Sequence, residues 1–319
     1  ALILLVGGRR VLDGTLSFGS LFAFMLYLSW FFEPILNLSN VYNLMQAAIA
    51  ALDKLFGLLD TETDVPAATE PVRVEAAEGR ITLEGVRFGY DPAIPVIKRL
   101  DLDVAPGERV AVVGETGAGK STVAKLAVRF HDPDEGKVEL DGVDLRDVEA
   151  GDLRRHIVLV PQEGFLFSGS LGDNLRYADP DLEDEALWEV CRQIGIADWV
   201  ASLEDGIETD VRERGSRLSS GERQLVALGR ALVADPAVIV LDEATSNLDP
   251  EKEQAVEVAL GTLLEGRTAI VIAHRLATAD RADRVVVMAD GEVVEVGAPA
   301  DLVAAGGAYA ELHLSLIHI

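Results

Sequence analysis

Apolar and polar positions follow two different regimes along this chain of 319 residues. From Gly14 to Phe32 nineteen consecutive residues carry no charge, many of them Phe, Leu, Tyr or Trp. That length suffices to cross a bilayer, and a core helix of a soluble protein would keep a polar face over such a distance. Ahead of it, ALILLVGG reads as the end of a helix too short to span alone, followed by a polar turn with Arg9, Arg10 and Asp13. Behind it, Pro34 predicts a kink or an end, yet LNLSNVYNLMQAAIAALDKLFGLLD keeps helical spacing toward Asp60.

The second regime begins near Arg80, after an acidic, alanine-rich stretch from Thr61 to Gly79 whose two prolines predict a linker. Short apolar runs of strand length now recur: ITLEGVRFGY, the segment IKRLDLDVAPGERVAVVG with its Pro-Gly turn, KVEL, HIVLVPQ, AVIVLDE and TAIVIAH. VVVMADGEVVEVG predicts a hairpin turning at Asp290-Gly291. Between Gln162 and Arg223 the pattern is mostly helical, which places a helical subdomain inside an α/β core. No internal repeat is present, so there is one such core.

Charge sharpens the division. The first 59 residues hold three acids and three bases, so the net charge of −26 belongs to residues 60–319. Such an acidic surface is repelled by phosphate backbones, which argues against nucleic acid as a partner. The single cysteine, Cys191, cannot form an internal disulfide and reads as a small buried hydrophobe.

The chemistry centres on GETGAGKS, Gly114 to Ser121, which follows the apolar run Arg109–Val113 and precedes TVAKLAVRF. Strand, glycine-rich turn and helix in that order form a phosphate loop. Gly114, Gly117 and Gly119 let successive N–H groups point inward at a helix N-terminus, a nest for an anion. Lys120 reaches the β- and γ-phosphates, and the Ser121 hydroxyl holds Mg²⁺. A nucleoside triphosphate with Mg²⁺ is therefore expected. At the end of AVIVLDE, Asp242 is placed to hold the metal through water and Glu243 to orient the attacking water. Taken alone, the two acids would equally cap a helix.

With these motifs in order, the chain resembles the C-terminal part of an ATP-binding cassette (ABC) half-transporter of the exporter type. RLSSGERQ, Arg217 to Gln224, matches the family signature, with Ser220 where Gly is usual and Glu222 where Gln is usual. Ser219 and Glu222 also have the spacing of a capping box. The resemblance implies that Ser219, Ser220, Gly221 and Glu222 meet the nucleotide held by the opposite subunit. It implies that Tyr90 stacks on adenine and that Glu115, Thr116, Ala118 and Thr122 line the nucleotide with the rest of the loop. It gives Gln162 contact with Mg²⁺ and the water, and makes His274 the switch histidine. Ser246 and Asp249 fall on the loop crossing the dimer interface, with Asn247 where Ala is common. TDVRERG, Thr209 to Gly215, resembles an exporter-specific segment, with Arg212 replacing Gly.

The implied fold is an α/β P-loop NTPase, an ABC ATPase with a RecA-like core, an antiparallel β subdomain and an inserted helical subdomain, preceded by an all-α transmembrane segment. Residues 1–60 then end the transmembrane domain, 61–79 link, and 80–313 form the nucleotide-binding domain. Residues 314–319, LSLIHI, read as a non-native tail, because one codon choice for them matches a sequencing adaptor. The expected partners are a second half-transporter, identical or paralogous, the lipid bilayer and an unidentified transported substrate. The expected location is the cell membrane, multi-pass, with the nucleotide-binding domain in the cytoplasm. The alternatives are a soluble ABC ATPase not engaged in transport and a nucleotide-binding regulator with weak turnover.

Overall fold

A computed structural model describes every residue except Glu62, Glu163, 243–249, 274, 275, 318 and 319, and leaves the side chains of residues 36, 250–252, 276, 277 and 315–317 undescribed. The chain divides into two compact units, Ala1–Thr63 and Asp64–Ile319.

The first unit is helical. α1 (Leu2–Leu12) ends in the turn that carries Asp13, and α2 (Phe18–Leu59) starts where the Ser17 hydroxyl accepts the Ser20 N–H at 3.1 Å. The two helices meet at Gly7, where an added Cβ would stand 2.3 Å from Leu21 Cδ1. α2 runs through Pro34 without interruption for 42 residues, about 63 Å at 1.5 Å per residue. Losing one intrahelical hydrogen bond at Pro34 is tolerated because the flanking residues continue the helix on both sides. By length and composition α2 is apolar enough to cross a membrane.

The second unit follows as β1 (Ile81–Phe88), β2 (Ile97–Val104), β3 (Arg109–Gly114), α3 (Lys120–Ala127), β4 (Glu135–Leu140), β5 (Val143–Asp144), α4 (Ala150–His156) and β6 (Ile157–Val160). Then come α5 (Leu171–Leu175), α6 (Asp184–Gln193), α7 (Ala197–Ser202), α8 (Ser220–Ala234), β7 (Val238–Asp242), α9 (Pro250–Leu264) and β8 (Thr268–Ile272). It closes with α10 (Leu276–Asp280), β9 (Arg284–Ala289), β10 (Glu292–Gly297), α11 (Pro299–Ala305) and α12 (Ala308–Ile317). Helix α12 carries on past His313 into the LSLIHI run instead of stopping before it.

Among the described residues ten strands form one sheet, in the order β5-β4-β1-β2-β10-β9-β3-β8-β7-β6. β6, β7, β8, β3 and β9 are parallel neighbours, while β1, β2, β4 and β5 pair antiparallel. The two halves touch through β10, which pairs with β2 at Glu292 and Arg99 alone, beside the Lys98 N–H to Gly291 carbonyl bond. The hairpin between β9 and β10 turns at Asp290 and Gly291, both at positive φ (49° and 78°), as the Asp-Gly pair predicts.

Alternation along the parallel strands sorts the core. Val110, Val112, Val238, Val240, Ile270, Ile272, Val286 and Met288 face one cluster together with Val123, Ala124 and Leu126 of α3 and the inward residues of β1 and β2. The intervening Ile239, Leu241, Ala269 and Val271 face a second cluster with α5, α6 and α8, and Ala111, Val113, Val285 and Val287 a third with Leu302 and Tyr309. This two-sided burial is why these strands read as continuous apolar runs. Cys191 lies fully buried in the second cluster, and burial pushes its thiol up to about 11.

The acidic stretch before Arg80 is held along this unit. Val72 bridges Val148, the Val74 carbonyl meets His156 Nε2 at 2.7 Å, and Asp141 accepts the N–H groups of Glu78, Gly79 and Arg80.

Candidate functional site

β3 delivers the phosphate loop to the C-terminal edge of the parallel strands. Gly114 is required there, since its φ is 150° and an added Cβ would lie 2.2 Å from the Met288 carbonyl oxygen of the neighbouring strand. Gly119, at φ 100°, is the N-cap of α3. Glu115 and Thr116 are exposed at the tip, whereas Ala118, Lys120 and Thr122 are buried. The buried Lys120 ammonium donates to the carbonyls of Gly114 at 2.8 Å and Glu115 at 2.9 Å, so the loop wraps its own cation.

Next to Lys120, the Ser121 hydroxyl donates to Asp242 Oδ1 at 3.3 Å. Asp242 ends β7, two strands away across β8. The parallel register sets this meeting, because β3 and β7 each pair with β8 and both end on the same edge.

Tyr90, just past β1, stands over the start of α3. Its hydroxyl lies 3.4 Å from Thr122 Oγ1 and accepts from Lys125 Nζ at 3.2 Å. Phe88 and His131 meet its ring edge-on at 5.2 and 5.3 Å. About half of Tyr90 remains exposed, with Lys125 Nζ over its ring 5.3 Å from the centroid. Sequence reasoning singled out Tyr90 but neither Lys125 nor His131. Lys125 lies four residues after Ser121, and only the fold shows that this side of α3 meets β1.

Gln162 is exposed two residues beyond β6. The preceding Pro161 carbonyl receives the side-chain N–H of Gln224 at 3.4 Å, and Gly164 is so close to α8 that a Cβ would stand 2.5 Å from the Arg223 carbonyl oxygen. The glutamine segment and the signature helix are thus packed backbone to backbone. Gln224 was read as part of the motif, and nothing in its spacing marks this contact.

The signature residues form the capping box their spacing predicts. Ser219 Oγ accepts the Glu222 N–H at 3.3 Å, and Glu222 Oε2 accepts the Ser219 N–H at 2.8 Å. Ser219 and Ser220 are exposed and Gly221 is buried. Upstream, Arg212 and Arg214 adopt positive φ, 60° and 53°, and Asp210 bridges Ser170. Between the glutamine segment and α8 lies a groove of about 490 Å³ lined by Arg154, Arg155, Pro161, Phe165, Tyr177 and Arg230 among others. Arg230 is held by the carbonyls of Asn174 and Phe165 and lies over the rings of Phe167 and Tyr177, and its burial pulls its pKa down.

The residues at Glu243, Ser246, Asn247, Asp249 and His274 lie outside the described residues. The remaining site residues fit a Mg-nucleotide: a glycine nest with a buried ammonium for phosphate oxygens, and a hydroxyl beside a carboxylate for a small hard cation. Among the described residues no cluster of three His, Cys, Asp or Glu stands ready for a metal. Mg²⁺ does not need one, since substrate phosphates and water supply most of its ligands.

Residues 97–246 match the family model described as ABC transporter. An uncharacterized ABC transporter ATP-binding protein of Bacillus subtilis, YknV, is 38% identical over 312 residues, which is 98% of this chain and 52% of the relative. An ATP-dependent lipid A-core flippase of Thiobacillus denitrificans is 41% identical over 316 residues, 98% of this chain and 54% of the relative. Among solved structures, a bacterial Atm1-family ABC exporter with ATP bound superposes with a TM-score of 0.77 at 36% identity, covering 94% of this chain and 53% of the exporter chain. The chain spans about half the length of the curated relatives it matches.

Proposed function

The chain belongs to the ABC transporter family through the domain at residues 97–246, and from that membership we propose that it is the ATP-hydrolysing subunit of an exporter. It couples ATP binding and hydrolysis at a dimer interface to the export of a substrate across a membrane. The observation that carries this reading is the Ser121–Asp242 oxygen pair at 3.3 Å, set beside a glycine nest that already encloses an ammonium.

In this reading the N–H groups of residues 114–122 take phosphate oxygens, and Lys120 exchanges its two carbonyl partners for the β- and γ-phosphates. Ser121, Asp242 and Gln162 hold Mg²⁺, which when bound offsets the charge that develops on the phosphates. Tyr90 stacks on the adenine. Glu243 orients the water that attacks the γ-phosphorus, and His274 hydrogen-bonds the γ-phosphate and Glu243. The N-terminus of α8, with Ser219, Ser220, Gly221 and Glu222, meets the nucleotide held by a second half-transporter, identical or paralogous, and Ser246 and Asp249 lie on the loop between the two subunits. Residues 1–60 belong to the membrane part, residues 80–313 form the cytoplasmic nucleotide-binding domain, and the assembly is multi-pass in the cell membrane.

ATP hydrolysis by the purified protein, measured against protein concentration beside Glu243→Gln and Lys120→Ala, tests the reading. Turnover per molecule rises with concentration, both variants lose it, and ATP holds Glu243→Gln as a dimer in sizing experiments. Turnover independent of concentration, or retained in Glu243→Gln, would falsify it.

A further inference from the structure

Gln162 belongs to a short segment that α8 holds on both sides. Ahead of it, the Pro161 carbonyl accepts the side-chain N–H of Gln224 at 3.4 Å. Behind it, Gly164 lies so near the helix that an added Cβ would stand 2.5 Å from the Arg223 carbonyl oxygen and 2.9 Å from the Gln224 backbone nitrogen. One residue further, the Phe165 carbonyl accepts from Arg230 Nη1 at 3.2 Å. Val160, the last residue of β6, is buried in the same apolar cluster as Leu225 and Leu228 of α8. The position of Gln162 is therefore set by α8 and not by β6 alone.

Gln224 is the enclosed tie among these. It is 2% exposed, yet its Oε1 has no hydrogen-bond partner among the described residues. Polar atoms this deep are as a rule paired, and leaving an acceptor open is costly. The Pro161 carbonyl can only accept, so the contact fixes which end of the amide faces the segment. One end of the amide is thus bound beside Gln162 and the other is open, the arrangement of a group that takes a second N–H when the segment closes on a ligand. Ser219 and Ser220, at the N-terminus of the same helix, are exposed, whereas Gln224 one turn later is turned inward.

We propose that Gln224, although it lies in the signature segment, serves the metal site of its own subunit: it is a positioning residue that holds Gln162 at Mg²⁺. Gln224 touches neither metal nor nucleotide, and its effect passes through Gln162. The inference rests on Gln162 as a Mg²⁺ ligand in the reading above.

ATP turnover by the purified protein, titrated with Mg²⁺ at saturating ATP, tests it. Gln224→Met loses the Pro161 contact by its chemistry and Gln224→Asn by its reach. Each raises the Mg²⁺ concentration at half-maximal rate about tenfold, with the KM for ATP at saturating Mg²⁺ unchanged. In a Gln162→Ala background the same substitutions add nothing to the Mg²⁺ requirement, because a residue acting through Gln162 has nothing left to position. Damage to packing alone would add to the effect of Gln162→Ala. An unchanged Mg²⁺ requirement in both variants, or additive shifts in the double variants, overturns the proposal. Amide hydrogen exchange with Mg²⁺ and a non-hydrolysable ATP analogue needs no turnover and separates the proposal from the reading it rests on. Protection of residues 160–165 that appears with Mg-nucleotide and is lost in Gln224→Met, in a protein that does not hydrolyse ATP, leaves the positioning role standing and removes the ATP-hydrolysing subunit. Absence of that protection in the wild type overturns the role itself.

Discussion

Ser121 and Asp242, 121 residues apart in sequence, bring their side-chain oxygens to 3.3 Å. A hydroxyl and a carboxylate this close, beside a buried lysine, are spaced for one small divalent cation. Replacing Ser121 with Ala or Asp242 with Asn should lower ATP turnover about 100-fold and raise the Mg²⁺ concentration at half-maximal rate. Titrating Mg²⁺ at saturating ATP checks this. An unchanged Mg²⁺ dependence in Ser121→Ala removes that hydroxyl from the metal site.

Tyr90 offers a half-exposed ring fixed by Phe88, His131 and Lys125. Losing the ring in Tyr90→Ala should raise the KM for ATP about fivefold, in line with an aromatic stacking contribution of about 1 kcal/mol. Tyr90→Phe should stay within about twofold, because stacking uses the face and not the hydroxyl. Equal KM values for Ala and Phe would show that the ring does not stack.

The capping box at the start of α8 separates stability from chemistry. Ser219→Ala removes the acceptor for the Glu222 N–H and should cost about 1 kcal/mol in a urea melt. Glu222→Gln keeps a side-chain oxygen for the Ser219 N–H and should change stability by only a few tenths. If both variants melt alike, the reciprocal bonds contribute little to the folded state.

Cys191 sets an alkaline limit. Its thiol is held protonated by burial, at about 11 against an ordinary value of 9.0. Between these two values the unfolded chain has lost a proton that the folded chain keeps, so stability falls as pH rises above about 9. A gap of this size amounts to about 3 kcal/mol at most. Melting curves at pH 8 and pH 10.5 should show a drop that Cys191→Ala reduces. Maleimide should label Cys191 only on unfolding, and rapid labelling of the native protein at pH 8 contradicts the burial argument.

The site was legible where its chemistry is local. Gly114 to Ser121 carries turn, anion nest and helix start within eight residues, and the Val110–Val113 run announces the strand that positions them. The Asp290-Gly291 turn and the Ser219–Glu222 box were readable for the same reason. What escaped depends on distant partners. Gly164 against Arg223, Gln224 on the Pro161 carbonyl and Lys125 at the Tyr90 hydroxyl join segments dozens of residues apart, and no periodicity encodes them. The two-residue strand Val143–Asp144 is too short to leave a pattern. Pro34 lies inside α2, which runs on to Leu59 as the helical spacing after the proline predicts.

The sheet's two halves are joined through β2 and β10 by the Glu292–Arg99 pair and the Lys98 N–H to Gly291 carbonyl bond, with the Arg284 guanidinium on the Asp103 carbonyl, and a single hydrophobic cluster runs beneath both. Ladder hydrogen bonds resist sliding, whereas packed aliphatic groups resist only separation. The seam therefore behaves as a greased joint: hard to pull apart and comparatively easy to shear. Tyr90 lies on one side of it and the phosphate loop on the other. A ligand that spanned ring and nest would act as a pin through the joint, converting a sliding contact into a locked one.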